Sequence, residues 1–288
     1  ATSFVGQILC QYLVDECPDG NINWAAAGRS QAKLDELVNR LGGNIPTIVA
    51  AADDETALQA MVDQTGVVLS TVGPYALYGS PLVKICARSG TDYCDLTGEP
   101  QWIRRMISAH EAEAKASGAR IVHCCGFDSI PLDLGNYFLQ QQTQALYAAP
   151  ATKVKMAVIE MKGGGSGGTI ASAINMIEEA SKDSQLRKDL NDPYYFCSSD
   201  HGFTAVQRNV TGSLYDEDFQ SWVGPFIMAP INTKIVHRSN ELSGKAFGEN
   251  FEYDEVVTSD SSIRGRMIAS GTGLGMGLFA LLVALPPT

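Results

Sequence analysis

Arg29, Ser30 and Lys33 place a guanidinium, a hydroxyl and an ammonium within one loop and one helical turn. That set suits a phosphate: arginine forks onto two oxygens, serine donates, and lysine adds charge. An exposed loop arginine beside a helix-capping serine is the plainer account of the same residues. The opening Thr2-Ser3-Phe4-Val5-Gly6 is small and hydroxyl-bearing. A turn needs this character if N–H groups at a helix start are to meet a pyrophosphate, although a serine-capped helix start also explains it. A third segment, Thr71-Val72-Gly73-Pro74-Tyr75-Ala76-Leu77-Tyr78-Gly79, joins a glycine that permits close approach, a proline that stiffens the turn, and two phenols in apolar surroundings. Val72, Gly73, Pro74 and Tyr75 would line a cofactor there. Tyr75, Tyr78 and Asp128 are the candidates for proton transfer. Tyr78, Asp95, Glu99, Asp128 and Ser129 are the candidates for holding a substrate, and each of the carboxylates also suits a helix or turn cap.

These residues follow apolar runs that read as strands. Asn23 to Ala27, Ile45 to Ala51, Val67 to Val72, Thr91 to Asp95 and Ala119 to Cys125 are the expected strands. Between them the spacing predicts helices over Gly6 to Val14, Ser30 to Leu41, Thr56 to Gln64, Ser80 to Ser89 and Gln101 to Ser117, with Ser30 as a cap and Pro81 in a first turn. Strands separated by helices imply right-handed crossovers and a parallel sheet. Ligands of such sheets bind beyond the carboxyl ends of the strands. Enzymes that use NAD carry Asp or Glu at one of these ends for the ribose; here Ala27-Gly28-Arg29-Ser30 has no carboxylate, which favours NADP over NAD. Asp53, after the next strand, would meet the adenine edge, though it or Asp54 could equally be a helix cap.

Composition narrows the class. The net charge is −11, with no basic run, so the counterion release that drives nucleic-acid binding has no source. Apolar residues make up 45%, enough for a sizeable core. Seven scattered cysteines without CxxC read as reduced thiols of a cytoplasmic protein. Four histidines without HxH or HExxH point to no metal site. Asn209-Val210-Thr211 matches a glycosylation sequon, but Ala1 to Val14 has no basic start of a secretory signal.

In the second half, Lys153 to Met161 alternates and reads as a strand, followed by Gly163-Gly164-Gly165-Ser166-Gly167-Gly168 and a helix from Thr169 to Ala180. The glycine run either seats an anionic group or merely connects. Ser181 to Val223 reads as polar and irregular, and Ile231 to Ser239 as a strand. Residues 267–285 carry no charge and hold interleaved G-x-x-x-G pairs, Gly271 with Gly275 and Gly273 with Gly277. They suit a buried or dimer-interface helix, peripheral membrane contact, or a span.

Taken in order, five of these segments resemble the saccharopine dehydrogenase-like oxidoreductases, including their trans-acting enoyl reductase members. They are Thr2 to Gln7, Trp24 to Ser30 with Lys33-Leu34, Val72 to Tyr75 with Tyr78-Gly79, Thr97 to Gln101, and Gly126 to Gly135. Gly164 to Ser172 extends the match. Ser3 stands where the family has glycine. The resemblance implies an α/β architecture: a Rossmann-like doubly wound parallel sheet over 1–130, and a second α/β (α+β) domain for substrate and dimerisation over 131–288. It implies a chain truncated at both ends, a nicotinamide cofactor, and a homodimer. The expected activity is hydride transfer to or from a C=N, C=O or C=C bond held between the domains. An enoyl reductase acting on a lipid-linked substrate, and a catalytically silent nucleotide-binding or membrane-associated protein, are the alternatives.

Overall fold

Helix and strand alternate from the first residues, as the apolar spacing demands. The computed structural model describes residues 1–17, 22–161 and 167–284. Most of the glycine run after Met161, and Leu285, lie outside the described residues. The chain divides into two compact units: Ala1–Cys125 with the segment ending at Ser172, and Gly126 onward without that segment.

The first unit runs α1 (Phe4–Glu16), β1 (Ala26–Gly28), α2 (Gln31–Arg40), β2 (Thr47–Val49), α3 (Glu55–Val62), β3 (Val67–Ser70), α4 (Tyr75–Tyr78), α5 (Ser80–Ser89), β4 (Asp92–Asp95), α6 (Pro100–Ser117) and β5 (Ile121–Val122). All pairings are parallel, in two ladders, β1-β2 and β3-β4-β5. Ser30 caps α2 by accepting from the Lys33 N–H, and Asp54 caps α3 by accepting from Ala57. Pro81 lies in the first turn of α5 and Gly90 closes it in the left-handed conformation. Leu34, Val62, Val83, Tyr93 and Trp102 are almost wholly buried and form the core of this unit. The stripe Phe4, Ile8 and Tyr12 on α1 forms a helix face as the spacing requires, but that face is exposed, while Gly6 and Cys10 point inward.

The second unit continues with α7 (Ile130–Tyr147), β6 (Lys153–Val158), the part of α8 (Gly167–Lys182) that follows Ser172, α9 (Ser184–Asn191), β7 (Leu214–Asp216), β8 (Ser221–Pro225), α10 (Ala229–Leu242), β9 (Glu252–Thr258) and α11 (Ile263–Ala284). Its sheet has the order β6-β9-β8-β7, with β6 parallel to β9 and the other pairs antiparallel. Two expectations are corrected here. The Ile231-to-Ser239 segment is helix α10: Ile231, Asn232, Lys234, Val236, His237 and Asn240 are buried at helical spacing, and its β-branched residues mimic a strand only in composition. Ser181 to Val223 is not irregular throughout, because Asp183 caps α9 and Leu214–Asp216 joins the sheet.

Strand alternation gives the second sheet two different faces. Val154 and Tyr253 pack with Val236, Phe247 and Phe251, whereas Val256 packs with Val210 and Val223. The latter side also holds an ion cluster. Lys155 Nζ lies 3.0 Å from Asp216, and Arg208 bridges Asp216 at 2.7 Å and Asp254 at 2.9 Å. Burial alone would raise the Asp216 carboxyl, but the hydrogen bonds from Lys155 and Arg208 outweigh it and bring it to about 2. A carboxyl depressed on folding adds stability above its unfolded pKa near 4 and forfeits it as pH falls toward 2. Asp216 is therefore expected to contribute about 2 kcal/mol at neutral pH. Urea titrations should show the gap between wild type and Asp216→Asn closing progressively below pH 4; a gap independent of pH would remove this role.

Helix α11 packs on β8 through small residues. A Cβ on Gly224 would come within 2.8 Å of the Ala269 carbonyl, so only glycine admits the helix at that distance. Among the described residues no helix is long and apolar enough to cross a membrane.

Candidate nucleotide and substrate site

The opening residues lie between the carboxyl ends of the two parallel ladders. The Ala1 nitrogen donates to Ala27 O at 2.7 Å, beside β1, and Ser3 Oγ lies 3.0 Å from Thr71 Oγ1, beyond β3. Helix α1 therefore starts at the crevice where a doubly wound sheet takes its ligand. Ser3 Oγ also accepts from the Gly6 N–H at 3.1 Å, while Thr2 O accepts from the Gln7 amide. The hydroxyl that stands in place of the family's glycine is thus committed to the cap and to Thr71. Gly6 is required by approach: a Cβ there would lie 2.5 Å from Ala1 O. The N–H groups of Phe4 and Val5 complete the helix start.

Beyond β1, Arg29 and Lys33 are exposed, and neither forms an ion pair among the described residues. Ser30 Oγ accepts from the Lys33 N–H at 3.5 Å, which leaves its own proton to donate. Two cations and a hydroxyl with no carboxylate among them match a 2′-phosphate. Asp53 is exposed, while its neighbour Asp54 is spent on capping α3.

The loop after β3 is held from behind. Glu99 is 1% exposed, and its carboxylate accepts from Tyr75 N at 2.7 Å, Ala76 N at 3.0 Å and Ser172 Oγ at 2.7 Å. Those bonds occupy both oxygens, so the geometry makes Glu99 a fastener of the loop rather than a group facing substrate. Tyr75 differs from the expectation of a proton donor in the same way. Its hydroxyl donates to Ser70 O at 2.9 Å, its ring packs 5.4 Å from Trp102, and burial pushes the phenol well above its usual range. Tyr78, by contrast, is exposed, as are Val72 and Leu77 of the same segment. Gly73 and Pro74 lead from Val72 into α4.

Asp95 is likewise inward. Oδ1 accepts from Thr97 N and from Cys124 N at 3.0 Å, and Oδ2 lies 2.7 Å from His123 Nδ1. Cys124 has φ +60°, left-handed for a residue with a Cβ, and the carboxylate of Asp95 holds that strained turn at the end of β5. His123, which the sequence reading passed over, is therefore the partner of Asp95. It carries no motif spacing, and only the strand register brings it opposite. In the second unit, Asp128 is exposed and Ser129 buried, its Oγ donating to Asn232 Oδ1 at 2.8 Å. Asn232 was hidden by the strand reading of its segment.

Comparison with known proteins places these residues in context. Residues 3–122 match the family described as the saccharopine dehydrogenase NADP binding domain. A Mycobacterium tuberculosis protein bearing a trans-acting enoyl reductase name is 40% identical over 292 residues, covering 98% of this chain and 69% of that protein. The trans-acting enoyl reductase of Mycobacterium ulcerans is 34% identical over 300 residues, covering 98% and 71%. A solved structure, the apo saccharopine dehydrogenase (L-Glu forming) of Saccharomyces cerevisiae, aligns at a TM-score of 0.43 and 18% identity, over 69% of this chain and 37% of that one. The chain belongs to the saccharopine dehydrogenase-like oxidoreductases, the family that includes the trans-acting enoyl reductases, and it is an NADP-dependent oxidoreductase.

Proposed function

We propose that this protein reduces the C=C bond of an α,β-unsaturated acyl group carried on a lipid-linked or thioester substrate. The single observation that carries the reading is the relationship, across 98% of the chain, to proteins named trans-acting enoyl reductases. NADPH supplies the hydride when bound, and the nicotinamide chemistry is its own. The chain's part is to seat and orient. Phe4 and Val5 N–H groups at the start of α1, with Thr2 to Gly6, would hold the pyrophosphate. Arg29, Ser30 and Lys33 would hold the 2′-phosphate, Asp53 the adenine edge, and Val72 to Tyr75 the nicotinamide half. Reduction of C=C also consumes a proton. Tyr78 is exposed, as are the apolar Val72 and Leu77 of the same segment, which supports it as the donor, with Asp128 as second candidate. An apolar surface with one phenol suits an acyl chain better than an amino acid, whose two charged groups would need counter-charges.

The test is NADPH consumption by the complete protein, followed by nicotinamide fluorescence, with a short trans-2-enoyl thioester. Oxidation that requires the enoyl group, and is absent with the saturated thioester, is the expected result. NADPH binding without such turnover, accompanied by turnover of an imine or a ketone, would replace the enoyl reading. NADPH binding without turnover of any of these substrates would leave the catalytically silent nucleotide-binding protein.

A further inference from the structure

Ser129 stands at the N-cap of α7, where serine ordinarily accepts from the helix's first N–H groups. It makes no such bond. Its hydroxyl is instead given to Asn232 Oδ1 at 2.8 Å. The amide of Asn232, 1% exposed, is fully used: Nδ2 donates to Asp128 O at 2.9 Å and to Glu255 Oε2 at 3.0 Å. Glu255, 2% exposed on β9, accepts from Tyr253 OH through its other oxygen at 2.9 Å. Because Asp128 O and the carboxylate only accept, and Ser129 Oγ needs an acceptor, the amide fits in one orientation. One side chain from α10 therefore fixes two consecutive residues of the turn that carries Phe127, 91% exposed, and the exposed Asp128.

We propose that Asn232, backed by the carboxylate of Glu255, is a positioning residue that holds the Phe127-Asp128-Ser129 turn in the conformation that receives substrate. The inference rests on the reading of that turn as substrate-facing in the reaction above. Ionised Glu255 makes a charge-assisted bond to Asn232, roughly twice the strength of a neutral one. Burial raises its carboxyl to about 7, while the bonds from Asn232 and Tyr253 pull it downward. By linkage, a bond that lowers a pKa is a bond that ionisation strengthens, so the hold tightens above pH 7 and slackens below it. The groups that act on Glu255 are Tyr253 and Asp254 on its own strand and the neutral Asn232 from α10; Asp133 on α7, which burial also raises and which accepts from Ser239, acts on Tyr253.

Hydrogen exchange over residues 126–133 of the complete protein tests the hold without any substrate. Expected protection is about tenfold lower at pH 6 than at pH 8 in wild type. In Asn232→Ala it is about tenfold lower at pH 8 and no longer depends on pH. Ser129→Ala, a milder change, should fall partway. Glu255→Gln should remove the pH dependence; its persistence in that variant assigns it to Asp133 and overturns the role of Glu255. Unchanged protection in both Asn232→Ala and Ser129→Ala overturns the proposal. With an enoyl thioester, Asn232→Ala should raise KM about tenfold at unchanged NADPH affinity. An equal loss of NADPH affinity would make Asn232 a general support and also overturn it. Failure of the enoyl reading shows separately, as absent thioester turnover in wild type with the exchange pattern intact.

Discussion

Arg29→Asp is expected to weaken NADPH binding about 100-fold and to leave NADH within about threefold. A hydrogen bond to a charged group contributes roughly 1.5–3 kcal/mol, a factor of roughly 10 to 150 in affinity, and the new carboxylate adds repulsion. NADH has no 2′-phosphate and so loses nothing that Arg29 supplies. The side chain is exposed and forms no ion pair among the described residues, so the substitution leaves the fold alone and the melting temperature unchanged. Fluorescence titration with both coenzymes at one fixed salt concentration measures the ratio, since phosphate contacts weaken with ionic strength. An equal loss for both coenzymes would contradict the assignment of Arg29 to the 2′-phosphate.

Glu99→Ala is expected to cost about 4 kcal/mol of stability and, with it, the order of the loop after β3. The alanine leaves the Tyr75 and Ala76 N–H groups and the Ser172 hydroxyl without their acceptor. A buried donor so stranded costs about 1–3 kcal/mol, and of the three Tyr75 N is buried while Ala76 N and Ser172 Oγ are part-buried. Glu99→Gln keeps one acceptor oxygen but turns an amide N–H toward a donor, so its cost is about half as large. The urea midpoint should fall in that order, alanine below glutamine below wild type, and NADPH affinity should fall with it under the proposed placement of the nicotinamide half against Val72 to Tyr75. Should Glu99→Ala unfold at the wild-type midpoint and lose turnover alone, Glu99 contacts substrate after all.

For Glu99 and Asp95 the difference between the expected role and the contacts made is a matter of burial. Glu99 and Asp95 follow a strand, as substrate-binding acids do, and nothing in their neighbours distinguishes a carboxylate that faces a ligand from one that faces backbone N–H groups. Tyr75 and Tyr78 differ by three positions in one short helix; one phenol is buried against Trp102 and the other is exposed. The exposure of Arg29 and Lys33 was legible because long charged side chains beside a strand end stay in water whatever the packing does, and Ser30 was legible as a helix cap. The α10 segment misled because Ile231, Thr233, Ile235 and Val236 carry the composition of a strand. Its buried polar residues Asn232, Lys234, His237 and Asn240 masked the helical period. Lys234 shows why they are tolerated: its ammonium donates to the Leu190 and Pro230 carbonyls, and burial lowers it to about 8.

By itself the amino-acid order determined local matters: the alternation of helix and strand, Ser30 and Pro81 at helix starts, glycines where the chain turns, the absence of an acid beside Arg29, and the coenzyme these imply. Each depends on residues a few positions apart, and short-range sterics and hydrogen bonding decide them. Tertiary structure alone decided which polar groups are spent inside. Glu99 meets Ser172 across 73 positions, and Ser129 meets Asn232 across 103. Such partners are chosen by how sheets and helices stack, because a buried donor must find an acceptor wherever the fold brings one.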